Sequence, residues 1–445
     1  MSRSNLRYHV QPGGQLQGRL RVPGDKSISH RAVMFGALAQ GITTVDGFLT
    51  GQDCLSTMKA FQSMGVVIEQ TAATSLCIHG VGLHGLQTPA AALDLGNSGT
   101  SMRLMAGLMA GQRFDTTMVG DVSLSKRPML RIVDPLRSMG AQIDTAENGT
   151  APLHVHGGAT LHGIDYRSPV ASAQIKSSLL LAGLYAQGVT RVTEPGASRD
   201  HTERMLRAFG VTVECAPGVA AVQGGQRLRA TPIEVPADIS SAAFFMVGAA
   251  IQPGSELLLE AVGINPTRNG VIEILRRMGA DIELLNPRLL GGEPIADIRV
   301  RGGALQGVDI DHELVTLAID EMPVVFVAAA CAEGETVVRD AAELRVKESD
   351  RIQAMCDGLQ NLGVDAEPTA DGACIRGGRF EPGKIDSLGD HRIAMSFAIA
   401  ALRASGPIEI LDCANVNTSF PGFVSLARLA GLSIEEVHAA DVYTV

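Results

Sequence analysis

Apolar runs at helical spacing open on a small or acidic residue and close on a glycine six times along the chain. The openings lie near Gly24, Gly96, Ala171, Asp238, Asp320 and Asp390, and each run is expected to be a buried helix that ends at its glycine. Four of the runs lead into β-branched stretches, Thr43–Val45, Val189–Val192, Thr336–Val338 and Ile408–Ile410, which read as strands. A second signature follows each run. It reads Phe61-Gln-Ser-Met-Gly65, Leu136-Arg-Ser-Met-Gly140, Leu206-Arg-Ala-Phe-Gly210, Leu275-Arg-Arg-Met-Gly279 and Leu359-Gln-Asn-Leu-Gly363, with a frayed sixth version in Leu426-Ala-Arg-Leu-Ala-Gly431. This pattern predicts a second helix with a glycine cap, entering a short strand such as Ala280–Leu284.

The unit therefore reads helix, strand, helix, strand, with further strand between, and recurs roughly every 70 residues, longer than solenoid repeats. Six small α/β modules are the expectation. A chain of 445 residues is too long for one ordinary core, so two domains of three modules each follow. The break is expected near Val235-Pro236-Ala237. The N-terminal lobe would span residues 24–236, and residues 1–23 and 237–445 would form the C-terminal lobe. The strand before Pro23 is expected to pair with the second lobe, giving two crossings. A hinge of that kind lets two half-sites close on a ligand.

Composition narrows the function. Tryptophan is absent, aromatics make up 4% of the chain, and the formal net charge is −10. These values disfavour nucleic-acid binding, which draws on stacking and positive charge. An anionic small molecule still binds where cations are gathered locally. Seven scattered cysteines, none as Cys-x-x-Cys, fit free thiols in a reducing cytoplasm. The polar stretch Met1–Gly14 has no apolar h-region, so no signal peptide is expected.

The run openings carry the chemistry. Gly24-Asp-Lys-Ser-Ile-Ser-His-Arg31 puts two hydroxyls and two cations at a helix start, where unpaired N–H groups and the helix dipole favour an anion. The other openings supply Asn97, Gly99 and Arg103; Ser172 and Gln174; Asp320 and Glu321; His391 and Arg392. Two more clusters, Ser123–Pro128 with Arg127 and Arg345-Val-Lys-Glu-Ser-Asp-Arg351, add charge. Converging helix starts would each contribute about 0.3–1 kcal/mol toward an anion. Lys26, Asp320, Glu348 and His391 are candidates for proton chemistry because they stand among cations. His154 and His156 alternate on a strand, which also suits a metal pair, but no third ligand follows at a recognisable spacing, so no metal is expected. Gly80-Val-Gly-Leu-His-Gly85 matches the dinucleotide fingerprint by letter but lacks its strand and helix context.

Four of these motifs, Gly24–Arg31, Gly96-Asn-Ser-Gly-Thr-Ser-Met-Arg103, Arg345–Arg351 and Asp390-His-Arg392, occur in order. Together with the sixfold repeat they closely resemble the 3-phosphoshikimate 1-carboxyvinyltransferase (5-enolpyruvylshikimate-3-phosphate synthase) family over almost the whole chain. Pro169-Val-Ala-Ser-Ala-Gln174 is similar to its class II branch. The resemblance implies the enolpyruvyl transferase fold, α/β (α+β), with two domains of three βαβαββ units. It implies a transferase of the shikimate pathway, in chorismate and aromatic amino acid biosynthesis. Such an enzyme joins phosphoenolpyruvate to the 5-hydroxyl of shikimate 3-phosphate and releases phosphate through a tetrahedral intermediate. No metal and no organic cofactor are implied; a cytoplasmic monomer inhibited by glyphosate is.

By the same resemblance, Lys26, Ser27, Arg31, Ser172, Ala173, Gln174, Arg199, Asp320 and Lys347 bind shikimate 3-phosphate. Phosphoenolpyruvate falls to Lys26, Gly99, Arg127, Gln174, Arg351 and Arg392. Asp320 is the implied proton acceptor for the attacking hydroxyl, Glu348 the donor to the methylene carbon, and Lys26 a further catalytic group. Thr418 stands where many members carry lysine, and Glu343 where many carry asparagine. Gly99 stands where glyphosate-tolerant class II members carry alanine. The sister family, UDP-N-acetylglucosamine 1-carboxyvinyltransferase, shares fold and donor but usually has a loop cysteine that Asp121–Pro128 lacks. A non-catalytic anion-binding relative is the other alternative, against which the intact Lys26, Asp320, Glu348 and Arg392 speak.

Overall fold

The computed structural model describes residues 6–438; residues 1–5, where the polar N-terminal stretch begins, and 439–445 lie outside the described residues. One βαβαββ plan is built six times. In the second repeat the strand Leu93–Asp94 leads to the helix Gly99–Ala110, the strand Thr116–Val119 and the helix Leu130–Ser138. The strands Gln142–Asp144 and Leu153–His156 close it. The first two strands pair in parallel, Leu153–His156 pairs antiparallel with the second, and Gln142–Asp144 lies outside it. The third and fifth repeats show the same strand order.

The remaining repeats are completed by strands from distant parts of the chain. Leu228–Arg229 and Ile233–Glu234 both lie parallel to Ala39–Asp46 of the first repeat. Gln17–Leu20 supplies the parallel partner of Glu256–Gly263 in the fourth. Leu6–Val10 sits between Ile408–Leu411 and Ile434–His438 in the sixth. The chain forms two compact units. One holds Gly24–Val235 together with Leu290–Glu293; the other holds, of the described residues, 6–23, Pro236–Leu289 and 294–438.

Each unit is built around one apolar cluster. The first helix of a repeat lies inside it. In Ile239–Ile251 every residue is buried, as expected of a helix that is apolar on all sides. Small residues let such helices come close. A Cβ on Gly107 would stand 2.1 Å from the carbonyl oxygen of Ser178, so the helices Gly99–Ala110 and Ala173–Gly183 meet backbone to backbone only because that position is glycine.

The second helices end alike in all six repeats. The residue after the apolar anchor sends its side chain to a carbonyl six positions on: Gln62 to Ile68, Arg137 to Ile143, Arg207 to Val213, Arg276 to Ile282, Gln360 to Ala366 and Arg428 to Ile434. Gly65, Gly140, Gly210, Gly279, Gly363 and Gly431 all take positive φ there. This register makes Ala427, and not Leu426, the sixth anchor, so the sixth copy departs in residue type while its geometry is whole. The glycines after the first helices correct the sequence reading. Only Gly111 sits at a helix end; Gly188, Gly254 and Gly334 lie beyond it with positive φ, turning the chain into the next strand, and Gly41, also at positive φ, lies inside the strand Ala39–Asp46. No single helix among the described residues is long and apolar enough to cross a membrane.

Candidate active site

In the unit of the first three repeats, the helix starts touch one another through polar side chains. Asp25 caps the helix Lys26–Leu38 by accepting from the Ile28 N–H, and Ser98 and Ser172 do the same for the helices of the second and third repeats. Arg31 is buried. Its Nε donates to Thr202 Oγ1 at 2.7 Å, its Nη2 to Ser177 Oγ at 3.0 Å and its Nη1 to the Ser27 carbonyl at 2.9 Å. Burial pushes its pKa down to about 10, which still leaves it charged. Lys26 pairs with Asp53 at 3.1 Å.

Beside these, Arg103 donates to Gln174 Oε1 at 2.6 Å, and Gln174 donates to Thr100 at 3.2 Å. Arg127 donates to Asn97 Oδ1 at 2.7 Å. Gly99 opens its helix between the two guanidiniums: a Cβ there would lie 3.1 Å from Arg127 Nη1 and 3.2 Å from Arg103 Nη1. His30 lies beneath the cluster against the hydroxyls of Thr57 and Ser101. Burial, then the charges of Lys26 and Arg31, push its pKa down to about 3, so the imidazole is neutral. Ser172 and Ala173 begin the third-repeat helix, and Glu194 accepts the Ser172 N–H at 2.7 Å and the Ser198 hydroxyl. Lys176 balances Glu194 at 3.0 Å and Glu203 at 2.9 Å, and the two carboxylates outweigh burial to raise its pKa. Arg199 lies in the loop before the helix His201–Ala208, near enough to Arg31 to oppose its charge. His201 is buried against Glu293 at 2.8 Å, a structural contact.

The unit of the last three repeats gathers the other candidates around Arg351. This buried guanidinium donates to Asp390 at 2.8 Å and to Glu348 at 2.7 Å, and its Nη1 stands 3.7 Å from Asp320. Burial opposes its charge, but Asp390, Glu348 and Asp320 together hold its pKa above the ordinary arginine value. Arg351 in turn keeps the carboxyl of buried Asp390 below the usual range, against the opposing pull of burial. Lys347 approaches Asp320 at 3.9 Å and Glu343 at 3.7 Å, and burial lowers its pKa against those carboxylates. Arg392 is buried in the first turn of the helix that Asp390 caps. Thr418 is buried and bonds locally to the Asn415 carbonyl at 2.7 Å.

Three partners escaped the sequence reading. Arg268 joins Asp238 at 3.2 Å to Ser240 and Glu321, linking the helix starts of the fourth and fifth repeats; it sits in a loop with no motif around it. Asp53 and Glu194 are lone carboxylates in unremarkable contexts, and only the fold brings them to Lys26 and Ser172. Arg103 stood in the quoted motif and turns out to carry the bridge to Gln174.

The family model described as EPSP synthase (3-phosphoshikimate 1-carboxyvinyltransferase) matches residues 10–426. The chain belongs to this family. A 3-phosphoshikimate 1-carboxyvinyltransferase of Methylococcus capsulatus is 67% identical over 428 residues, 96% of this chain and 98% of that protein. The one from Nitrosococcus oceani is 61% identical over 434 residues, covering 98% of each. Among solved structures, EPSP synthase from Acinetobacter baumannii matches with a TM-score of 0.87 and 57% identity, over 97% of this chain and 100% of that one. The enolpyruvyl transferase NikO from Streptomyces tendae matches with a TM-score of 0.79 at 15% identity, over 98% of this chain and 99% of that one. That likeness carries the enolpyruvyl transferase fold, the two-domain α/β arrangement that the repeats described above build.

Proposed function

We propose that this chain transfers the enolpyruvyl group of phosphoenolpyruvate to the 5-hydroxyl of shikimate 3-phosphate and releases phosphate. The observation that carries the reading is the cluster of Asp320, Lys347, Glu348 and Asp390 on the single guanidinium of Arg351, found in a member of this family. It puts two candidate proton-transfer carboxylates and a cation within a few ångströms.

In this reading Lys26, Ser27, Arg31, Ser172, Ala173, Gln174 and Arg199 hold shikimate 3-phosphate, and Asp320 and Lys347 hold its ring hydroxyls. Lys26, Gly99, Arg127, Gln174, Arg351 and Arg392 hold phosphoenolpyruvate. The 5-hydroxyl oxygen attacks C2 of phosphoenolpyruvate as Asp320 takes its proton, and Glu348 delivers a proton to the methylene carbon. The result is a tetrahedral ketal phosphate. Glu348 then removes a proton from the new methyl group, the C2–O bond to phosphate breaks, and the departing phosphate takes a proton through Lys26. Glu348 accepts a hydrogen bond from Arg351 Nη2 through Oε2, which holds its carboxyl in place, and in the donor role it enters the reaction protonated on the other oxygen. Cationic side chains held in place before substrate arrives need no reorganisation during the reaction.

The chain works as a monomer in the cytoplasm, a placement supported by its seven free thiols, and glyphosate competes with phosphoenolpyruvate. The test is phosphate release from phosphoenolpyruvate with each acceptor. Release that depends on shikimate 3-phosphate is expected; release that depends on UDP-N-acetylglucosamine, or none with either acceptor, would overturn the reading.

A further inference from the structure

His154 and His156 have no part in the reaction proposed above, yet the second-repeat sheet surrounds them with donors. Leu153–His156 runs between Thr116–Val119 and Gln142–Asp144. Thr117 and Asp144 are the cross-strand neighbours of His154, and Gln142 is a neighbour of His156. Continuing the antiparallel ladder by one residue sets Asp115 opposite His156. Leu153 and Val155 are buried and both histidines half-buried, so the histidines share the outer face of the sheet. Their rings stand nearly perpendicular with centroids 4.5 Å apart.

The donor atoms of Asp115, His154 and His156 all lie within 4.8 Å of one another. Tetrahedral zinc holds its nitrogen and oxygen ligands at about 2.0–2.2 Å, which places them roughly 3.3 Å apart. Small side-chain rotations close that difference. Each of the three residues is also steadied through one atom while keeping a second. Thr117 Oγ1 meets His154 Nδ1 at 2.9 Å, leaving Nε2; Asp144 Oδ2 meets His156 Nε2 at 2.8 Å, leaving Nδ1. The Gly157 N–H meets Asp115 Oδ1 at 2.9 Å, leaving Oδ2. Histidines that bind metal regularly place their second nitrogen on a hydroxyl, carbonyl or carboxylate in this way.

We infer that Asp115, His154 and His156 form a site for a divalent transition metal of the zinc type, with Asp144 and Thr117 orienting the imidazoles and water completing the coordination. Two imidazoles and one carboxylate favour zinc, cobalt, nickel or copper over magnesium or calcium. The bound ion crosslinks the strand Leu153–His156 to the start of Thr116–Val119, so it acts on stability and not on turnover. The first repeat carries a rival set at Glu69, Cys77 and His79, where Cys77 Sγ faces His79 Nε2 at 3.8 Å. Among the described residues, none steadies the second imidazole nitrogen of His79 as Thr117 and Asp144 steady His154 and His156, and a thiolate ligand there would show itself by its charge-transfer band.

The test is zinc titration of the chelator-treated, full-length protein by calorimetry, with cobalt as a spectroscopic probe. The expected result is one saturable site that raises the melting temperature and leaves turnover unchanged. His154→Ala and His156→Ala abolish it, and Asp144→Asn weakens it about tenfold. Cobalt gives d–d bands without a thiolate charge-transfer band, and Cys77→Ser changes neither probe. Circular dichroism of the metal-free variants separates lost binding from lost folding. Absence of saturable binding in the folded protein, binding that survives both histidine variants, or a charge-transfer band that Cys77→Ser removes would each overturn the inference.

Discussion

The two units build their helix starts on one plan and hold their arginines in opposite ways. In the unit of the first three repeats, Arg31 rests on neutral groups, the hydroxyls of Thr202 and Ser177 and the Ser27 carbonyl, while Arg103 and Arg127 donate to the amides of Gln174 and Asn97. In the other unit, Arg351 and Arg268 are held by carboxylates: Asp390, Glu348 and Asp320 for the first, Asp238 and Glu321 for the second. A guanidinium on neutral acceptors keeps its charge for an incoming anion. One clamped by carboxylates has much of its charge offset and also fixes those carboxylates in place. The pKa directions agree, since burial lowers Arg31 whereas carboxylates raise Arg351. The first arrangement is that of an anion receptor. The second is a charge network fit to organise proton transfer.

The contrast breaks most visibly on folding stability. Arg351→Met leaves Asp390 and Glu348 without their buried cation, and urea unfolding should show a loss of about 3–5 kcal/mol. Arg31→Met leaves Thr202 and Ser177, which already bond to each other at 2.7 Å, so its loss should stay below about 1.5 kcal/mol. Equal losses for the two variants would dissolve the distinction.

A middle-sized effect concerns pH. His30 is neutral in the fold because its pKa is pushed down to about 3, while the unfolded chain protonates it near 6.5. As pH falls below 6.5 the unfolded state binds the extra proton. Stability is then lost by up to about 1.4 kcal/mol per pH unit until the pH reaches the folded value. Urea titrations between pH 7 and 5 should show this slope, and His30→Asn should flatten it.

The smallest effect sharpens the receptor side. Gly99→Ala places a methyl 3.1–3.2 Å from Nη1 of Arg127 and of Arg103, the ends of long side chains that can yield by tenths of an ångström. The KM for phosphoenolpyruvate should rise about threefold to fivefold, near 1 kcal/mol, with kcat within twofold and glyphosate inhibition weakened. An unchanged KM would remove Gly99 from the phosphoenolpyruvate contacts.

The repeats were legible because each second helix closes on a glycine that must take positive φ, and the apolar first helices have a period that nothing else imitates. The sixth copy was misaligned by one residue because Ala427 is too small to look like an anchor; only the Arg428 contact to Ile434 reveals the register. Motif residues such as Arg31 and Arg351 stood out because charge is rare at the start of a buried helix. Their partners did not. Thr202, Asp53, Glu194 and Arg268 are ordinary residues in sequence, and long-range packing alone brings them to the cations. Asp115 was hidden beside His154 and His156 for the same reason, since it lies 39 positions before His154 and comes to the pair only through strand register.

The central claim is the proposed division of labour in which Arg31 binds the shikimate 3-phosphate anion and Asp320, beside Arg351, takes the proton. The direct measurement pairs shikimate 3-phosphate binding by calorimetry with single-turnover phosphate release in Arg31→Met and Asp320→Asn. The account predicts that Arg31→Met loses binding, while Asp320→Asn keeps binding close to that of the parent and loses about 10²–10⁴-fold in release rate. Asp320→Asn releasing phosphate at the parental rate, or Arg31→Met binding shikimate 3-phosphate as the parent does, would contradict it.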